Sequence, residues 1–314
     1  MAFRVNNPGV NASTIINNHI DESYLPLLHD TRFCVEYSKG CATWNEYDVN
    51  YEASNTDTIQ LARKTLFAVK TCKRTCGERL PIILNTWVKA ALNIEYFSEH
   101  ASRKYKTKVL PQVKQNTEKG HCQKTEAILK YFHKHAAQEG WEWLVIVDDD
   151  TILGVQNLFH LLHHYDSKQQ FVIGNRFGYA LSHEKIGYNY LAGGAGMIFN
   201  SQIVPALMQN NGKYCSCPRP DEYDDMFLAG QCIKTINGYI INDNGFHQYS
   251  PSDYSPDLLR FQKYPISFHK FYTINAEYGT LEWNDPKETY KTYFERADAF
   301  LKKYKNNKRI KTEL

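Results

Sequence analysis

The sequence predicts an α/β protein built on a mixed, mostly parallel sheet flanked by helices, and three observations predict it. Short apolar runs of strand length alternate with longer runs of helical period, the pattern of β–α–β units. One such run, Trp143 to Val147, is apolar without interruption, as a strand covered on both faces must be. It passes directly into three carboxylates, Asp148, Asp149 and Asp150, at the strand end where open α/β sheets bind their ligands.

Residues 1–60 are polar, Asn-rich and weakly periodic, and are expected to form a loosely ordered leader. A strand is expected at 65–71 and a helix at 77–92, with Pro81 in its first turns, where the missing N–H costs least. A strand at 94–99, a helix at 122–137 and the strand at 143–147 continue the alternation. Thr151 is then expected to cap a helix over 153–165, ahead of a strand at 171–174. After the glycine cluster of 191–200, Ser201 is expected to start a helix, and a further helix covers 224–236. Apolar and aromatic residues at helical spacing predict one amphipathic helix over 285–305. The expected organisation is a leader (1–60), one catalytic domain (61–275) and a C-terminal helix with a tail (276–314).

Composition narrows the function classes. The 314 residues suffice for a substantial core, and a net charge of +3 is too weak and dispersed for a nucleic-acid binder. The 22 Tyr suit either a packed core or a surface that meets ring-bearing polar ligands. No stretch reaches the roughly 20 apolar residues of a membrane span. The N-terminus lacks the apolar run of a signal peptide. Three features nevertheless point to the secretory pathway: the final Lys311-Thr312-Glu313-Leu314, close to the K-D-E-L retrieval address; the sequon at Asn11; and eight cysteines. The expectation is an endoplasmic-reticulum luminal protein whose signal sequence lies upstream of this chain. The C-x-C spacing of Cys215 and Cys217 suits zinc poorly, so disulfides are expected.

Three adjacent carboxylates raise one another's pKa unless a cation offsets them. A hard divalent ion does so, held by one or two carboxylates and by the phosphates of a substrate. Side chains alternate on an extended segment, so Asp148 and Asp150 face one way and Asp149 the other. A solvated turn is the bland alternative. A phosphatase-type D-x-D-x-T is the sharper one, but Thr151 comes one residue too early for it. Gly193 and Gly194 permit close approach of backbone to a ligand, or simply a tight turn. His269 and the aromatics around it suit either the lining of a binding site or core packing.

The ordered segments VKTCKRTCGERLPIILNTW, HCQKTEAIL, WLVIVDDDT, AGGAGMIF, DDMFLAGQC, FHQ and PISFHKFY resemble the Fringe-like β1,3-glycosyltransferases over residues ~64–272. Within that family the likeness is strongest to members that add glucose to O-linked fucose on thrombospondin type 1 repeats. The resemblance implies a GT-A-type (Rossmann-like) fold, a UDP-sugar donor, Mn²⁺ and inversion at the anomeric carbon. It implies Asp148 and Asp150 as metal ligands together with His247, Asp149 and Arg79 as donor contacts, and Asp225, in preference to Asp224, as the catalytic base. An extra residue before Gly230, relative to the family's D-D-x-x-x-G, unsettles the register of that helix. An inverting displacement needs a base separate from the metal cluster, which a carboxylate opening a distant helix supplies. Other sugars on other O-glycans, such as N-acetylglucosamine or galactose, are alternatives, as is a catalytically silent luminal factor that binds glycoproteins.

Overall fold

A computed structural model describes residues 2–4, 55–117, 120–183, 186–212, 215–261, 264–274 and 281–312. The sequon at Asn11, Cys34, Cys41, most of the expected leader and the last two residues of the retrieval-like tetrapeptide lie outside the described residues.

In chain order the strands are β1 (Ala2–Arg4), β2 (Thr65–Lys70), β3 (Asn93–Ser98), β4 (Lys108–Val109), β5 (Trp143–Asp148), β6 (Thr151–Leu153), β7 (Phe171–Gly174), β8 (Arg176–Tyr179) and β9 (Tyr188–Leu191). They continue with β10 (Met197–Asn200), β11 (Tyr239–Asn242), β12 (Phe246–His247), β13 (Ser267–His269), β14 (Tyr272–Ile274) and β15 (Leu281–Trp283). The helices are α1 (Asn55–Lys64), α2 (Cys76–Asn85), α3 (Cys122–Glu139), α4 (Val155–Leu162), α5 (Ile203–Gly212), α6 (Asp224–Met226), α7 (Cys232–Thr235), α8 (Pro256–Phe261), α9 (Pro286–Tyr293) and α10 (Glu295–Thr312).

Seven strands form the central sheet in the order β11-β7-β10-β5-β2-β3-β4. Every neighbouring pair is parallel except those made by β10, which runs antiparallel to both β5 and β7. The period of two along a strand divides the core into two layers. Phe67, Val69, Trp143, Val145 and Val147 face a layer closed by α2, α4, α9 and α10. Leu66, Ala68, Leu144 and Ile146 face a second layer with α3 and α5. The protein is thus a sheet sandwiched between helices, the expected fold class.

Several elements differ from the sequence reading. The first described helix, α1, crosses the expected domain boundary at 60–61 and buries Thr58 and Ala62. Thr151 does not cap a helix: it lies in β6, paired with His269 of β13, and the helix starts at Val155 after Gly154. Its hydroxyl is committed elsewhere, donating to the Gly194 carbonyl at 2.9 Å and accepting from the Asp148 N–H at 3.2 Å. The expected helix at 77–92 stops at Asn85 and continues as a single 3₁₀ turn, Trp87–Lys89. The expected C-terminal helix is two, broken at Phe294, whose buried ring packs on Gly154.

Between α6 and α7 the chain forms a π-helical turn, Phe227–Gln231. Such a turn takes up one residue more than an α-turn. A turn of this kind has room for the extra residue before Gly230; the acidic pair stands at the start of the helix and Cys232 is buried at its end. Gly230 lies in this turn because a Cβ would come 2.7 Å from that of Tyr190 on β9.

Candidate active site

The carboxyl ends of β2 and β5 are neighbours in parallel register, with Lys70 opposite Asp148. Paired positions share a face, so a lysine and a carboxylate meet in a site that burial would otherwise forbid to either alone. Lys70 Nζ lies 3.1 Å from Asp148 and 2.6 Å from Asp224, which the helix after residue 223 brings in from the other side. Burial works to lower the Lys70 pKa, but the two carboxylates outweigh it and hold the ammonium charged. The same pairing overcomes the effect of burial on Asp148 and Asp224 and holds both below the usual carboxylate range. Thr125 of α3 adds a 2.5 Å hydrogen bond to Asp224.

Asp149 points away from this pair. Its carboxylate accepts from the Thr71 hydroxyl at 2.7 Å, the Thr75 hydroxyl at 2.6 Å and Arg79 Nη1 at 2.9 Å. Burial and the neighbouring Asp150 still push its pKa up. Arg79 Nη1 also lies 2.9 Å from Asp150, so one guanidinium spans both acids. The triplet therefore carries its own counter-charges, Lys70, Arg79 and His269, a balance the sequence reading gave entirely to a metal ion.

Asp148 and Asp150 face His269, whose Nε2 is 3.8 Å from the first and 3.3 Å from the second. These three side chains offer ligand atoms within 4.8 Å of one another, a group able to hold a metal ion. The donor set fits a divalent cation: two carboxylate oxygens and an imidazole nitrogen leave room for substrate oxygens. The second imidazole nitrogen, Nδ1, is 3.1 Å from the Gln248 carbonyl, the outer hydrogen bond that orients a ligating histidine. Burial lowers the His269 pKa, but Asp150 and Asp148 outweigh it and raise it.

His247, which the resemblance put among the metal ligands, is not in this group. β12 and β13 run parallel with His247 opposite Phe268, so His247 shares the face of Phe268 and points into the core, whereas His269, one residue on, takes the opposite face. The His247 ring stacks on Phe268 at 4.4 Å, and its Nδ1 is 2.9 Å from the Ser267 carbonyl.

Asp225 stands apart from the metal-capable group. It is partly exposed, and burial together with the neighbouring Asp224 raises its pKa to about 6. The Gly193 N–H donates to its Oδ2 at 3.2 Å and the Met226 N–H to its Oδ1 at 2.8 Å. Lys70 thus separates two acids that are adjacent in sequence: Asp224 is neutralised and Asp225 is left able to take a proton. The paired glycines have a packing role that the sequence reading did not assign. A Cβ on Gly194 would strike the His269 ring at 2.1 Å, and one on Gly193 would come 3.3 Å from Asp225. The imidazole and the candidate base therefore flank one Gly-Gly turn.

Between β2, α3 and the acidic triplet lies an open cleft of about 220 Å³, lined by Thr71, Thr75, Arg79, His121, Lys124 and the triplet with His269. Of the residues that build it, Lys70, Thr71, Thr75 and His121 were not singled out from sequence. Lys70 had a legible signal, since a lysine closes the apolar strand TLFAVK beside one that closes on aspartate.

A strand-end metal-capable group with a separate raised carboxylate is equipped for metal-assisted displacement chemistry, and the comparisons say to which family the chain belongs. A family model described as Fringe-like matches residues 61–300, and the chain belongs to the Fringe-like family. It is 39% identical over 239 residues to a β1,3-glucosyltransferase of Homo sapiens, covering 76% of this chain and 46% of that protein. The Mus musculus β1,3-glucosyltransferase is 40% identical over 231 residues, 73% of this chain and 45% of that protein. The β1,3-N-acetylglucosaminyltransferase lunatic fringe of Gallus gallus is 23% identical over 202 residues, 60% of this chain and 56% of that protein. The chain spans less than half the length of the two glucosyltransferases. Among solved structures, the glycosyltransferase GlyE of Streptococcus pneumoniae has a TM-score of 0.41 at 10% identity, covering 78% of this chain and 64% of that one.

Proposed function

We propose that this chain carries the catalytic domain of an inverting, metal-dependent β1,3-glycosyltransferase that moves glucose from UDP-glucose to O-linked fucose on thrombospondin-type repeats. The observation that carries the reading is the division of labour around Lys70: a metal-capable group of Asp148, Asp150 and His269 on one side, and Asp225, its pKa raised to about 6, on the other. The choice of glucose rests on the similarity to the two glucosyltransferases, and that of O-linked fucose on the resemblance carried by the ordered sequence segments.

Mn²⁺ is the cation proposed, with His269 in the place first given to His247; when bound, it neutralises the charge that develops on the leaving diphosphate. In the proposed step Asp225 takes the proton of the acceptor hydroxyl. That oxygen bonds to the anomeric carbon on the face opposite UDP, and the bond to the diphosphate breaks, its electron pair leaving with UDP. Arg79, freed from one of its two acids as the donor enters, is the residue proposed to meet donor phosphate. Asp149, already held by two hydroxyls and a guanidinium, is better suited to fixing the Thr71–Thr75 turn than to a new ligand. The proposed compartment is the endoplasmic-reticulum lumen, on the tetrapeptide Lys311–Leu314 and a disulfide, Cys122–Cys217, of the kind oxidising compartments sustain.

The test is an assay of purified protein against a panel of UDP-sugars, with an O-fucosylated thrombospondin repeat as acceptor and Mn²⁺ present or chelated. Glucose transfer that stops on chelation is expected. Transfer undiminished in excess chelator, or no turnover of any UDP-sugar, overturns the reading.

A further inference from the structure

The candidate base and the metal-capable group come from segments far apart in the chain, yet both rest on one short turn. Gly193, Gly194 and Ala195 form a single buried 3₁₀ turn between β9 and β10. Its first residue gives its N–H to Asp225 Oδ2 at 3.2 Å. Its second lies against His269, where a Cβ would overlap three atoms of the imidazole. The separation between the Asp225 carboxylate and the imidazole beside Asp148 and Asp150 is therefore set by where this turn sits.

A glycine pair has little stiffness of its own, because neither residue has a Cβ to restrict its backbone. The turn is held from outside, by three side chains on three other segments. Thr151, which follows the acidic triplet, donates to the Gly194 carbonyl at 2.9 Å. Ser267, on β13 two residues before His269, donates to the Ala195 carbonyl. Gln248, directly after β12, accepts from the Ala195 N–H at 2.8 Å through Oε1. Of these three, Gln248 is the one whose own carbonyl also meets the imidazole, 3.1 Å from Nδ1. One residue thus ties the turn through its side chain and the histidine through its backbone. The Gln248 side chain is itself partly exposed, so packing does not demand an amide there. The Ala195 N–H does, since it is fully buried and a buried N–H needs an acceptor.

We propose that Gln248 is a positioning residue for the transfer, its carboxamide locking the Gly193–Ala195 turn in place and so fixing the separation between Asp225 and His269. This inference rests on the glycosyltransferase reading above and deepens it. The experiment compares the wild-type protein with Gln248→Met, which keeps the length of the side chain and removes the amide, and Gln248→Glu, which keeps an acceptor oxygen. Hydrogen exchange of the Gly193 and Ala195 amides is measured by NMR on protein with neither Mn²⁺ nor donor added. Both amides are expected to exchange at least about tenfold faster in Gln248→Met and near the wild-type rate in Gln248→Glu. Steady-state kinetics with donor and acceptor varied separately should show kcat reduced by about 10- to 100-fold in Gln248→Met, the cost of a catalytic group held slightly out of place. Both KM values should stay within about twofold, and Gln248→Glu should recover most of kcat. Unchanged exchange at both amides in Gln248→Met, a Gln248→Met kcat equal to wild type, or a Gln248→Glu variant as slow as Gln248→Met overturns the proposal. A wild-type protein inactive with every UDP-sugar counts against the glycosyltransferase reading instead, while the exchange rates still decide whether Gln248 holds the turn.

Discussion

At the scale of single residues, the proposed chemistry turns on how differently two adjacent aspartates are treated. Asp224 has Lys70 at 2.6 Å and is held ionised; Asp225 has only two backbone N–H donors, and burial beside a like charge raises it to about 6. Replacing Asp225 with Asn is expected to abolish transfer, by a factor on the order of 10² to 10⁴, while UDP–Mn²⁺ affinity measured by calorimetry stays close to wild type. With Asp225 as the proposed base, the acceptor-dependent rate of the wild-type protein should fall as pH drops through about 6, where this carboxylate becomes protonated. The linkage to stability has the opposite sense from that of a salt-bridged acid. A folded pKa above the unfolded value means that the native state binds the extra proton, so this carboxylate costs stability above its folded pKa and none below its unfolded one. Asp225→Asn should therefore be more stable than wild type at pH 7, by up to about 3 kcal/mol, with the gain closing near pH 4; equal denaturation midpoints at both pH values would refute this account. Lys70 is the converse case: Lys70→Met leaves the buried Asp224 and the half-buried Asp148 without their shared counter-ion and should cost on the order of 3–5 kcal/mol, read from urea unfolding at pH 7.

At the scale of elements, short-range signals and long-range pairing made separate contributions. The apolar runs that became β2, β5 and β7 were legible because both faces of each strand are buried, which leaves no polar alternation to misread. The tyrosine-rich strands β8 and β9 were not, since Tyr and Gly serve turns, edges and cores alike. Thr151 looked like a helix cap because its hydroxyl needs a partner; that partner is the Gly194 carbonyl, 43 residues away in sequence, which no local pattern reveals. The disulfide Cys122–Cys217 joins the start of α3 to the segment leading into the acidic pair, across 95 residues. Loop closure of that size predicts a loss of about 2–5 kcal/mol for Cys217→Ser. The measurement is chemical denaturation of variant and wild type with and without reductant, and the difference should vanish when both are reduced.

For the whole molecule, the two C-terminal helices belong to the domain itself. Tyr290, Phe294 and Leu301 are buried in the larger core layer, and Asp298, fully buried, accepts from the Gln156 N–H at 2.8 Å and the Tyr290 hydroxyl at 2.8 Å. Lys305 reaches back to the carbonyls of Val88 and Ala91, so α10 spans the outer face of the layer that carries Trp87. Phe294→Ala should cost about 3–5 kcal/mol by leaving a cavity against Gly154, and a chain ending after α8 should fail to give a cooperative thermal transition. Among the described residues no helix is long and apolar enough to cross a membrane.

By itself the sequence determined the fold class, the family and the position of the acidic triplet at a strand end, because each depends on local period or on the order of motifs along the chain. Which histidine joins the carboxylates was decided only by the tertiary structure. His247 and His269 sit on paired strands one register apart, and alternation of side chains sends the first into the core and the second to Asp148 and Asp150. The counter-charges of the triplet were likewise decided in three dimensions, since Lys70 and Arg79 meet it across 78 and 70 residues of chain and electrostatic balance depends on distance in space.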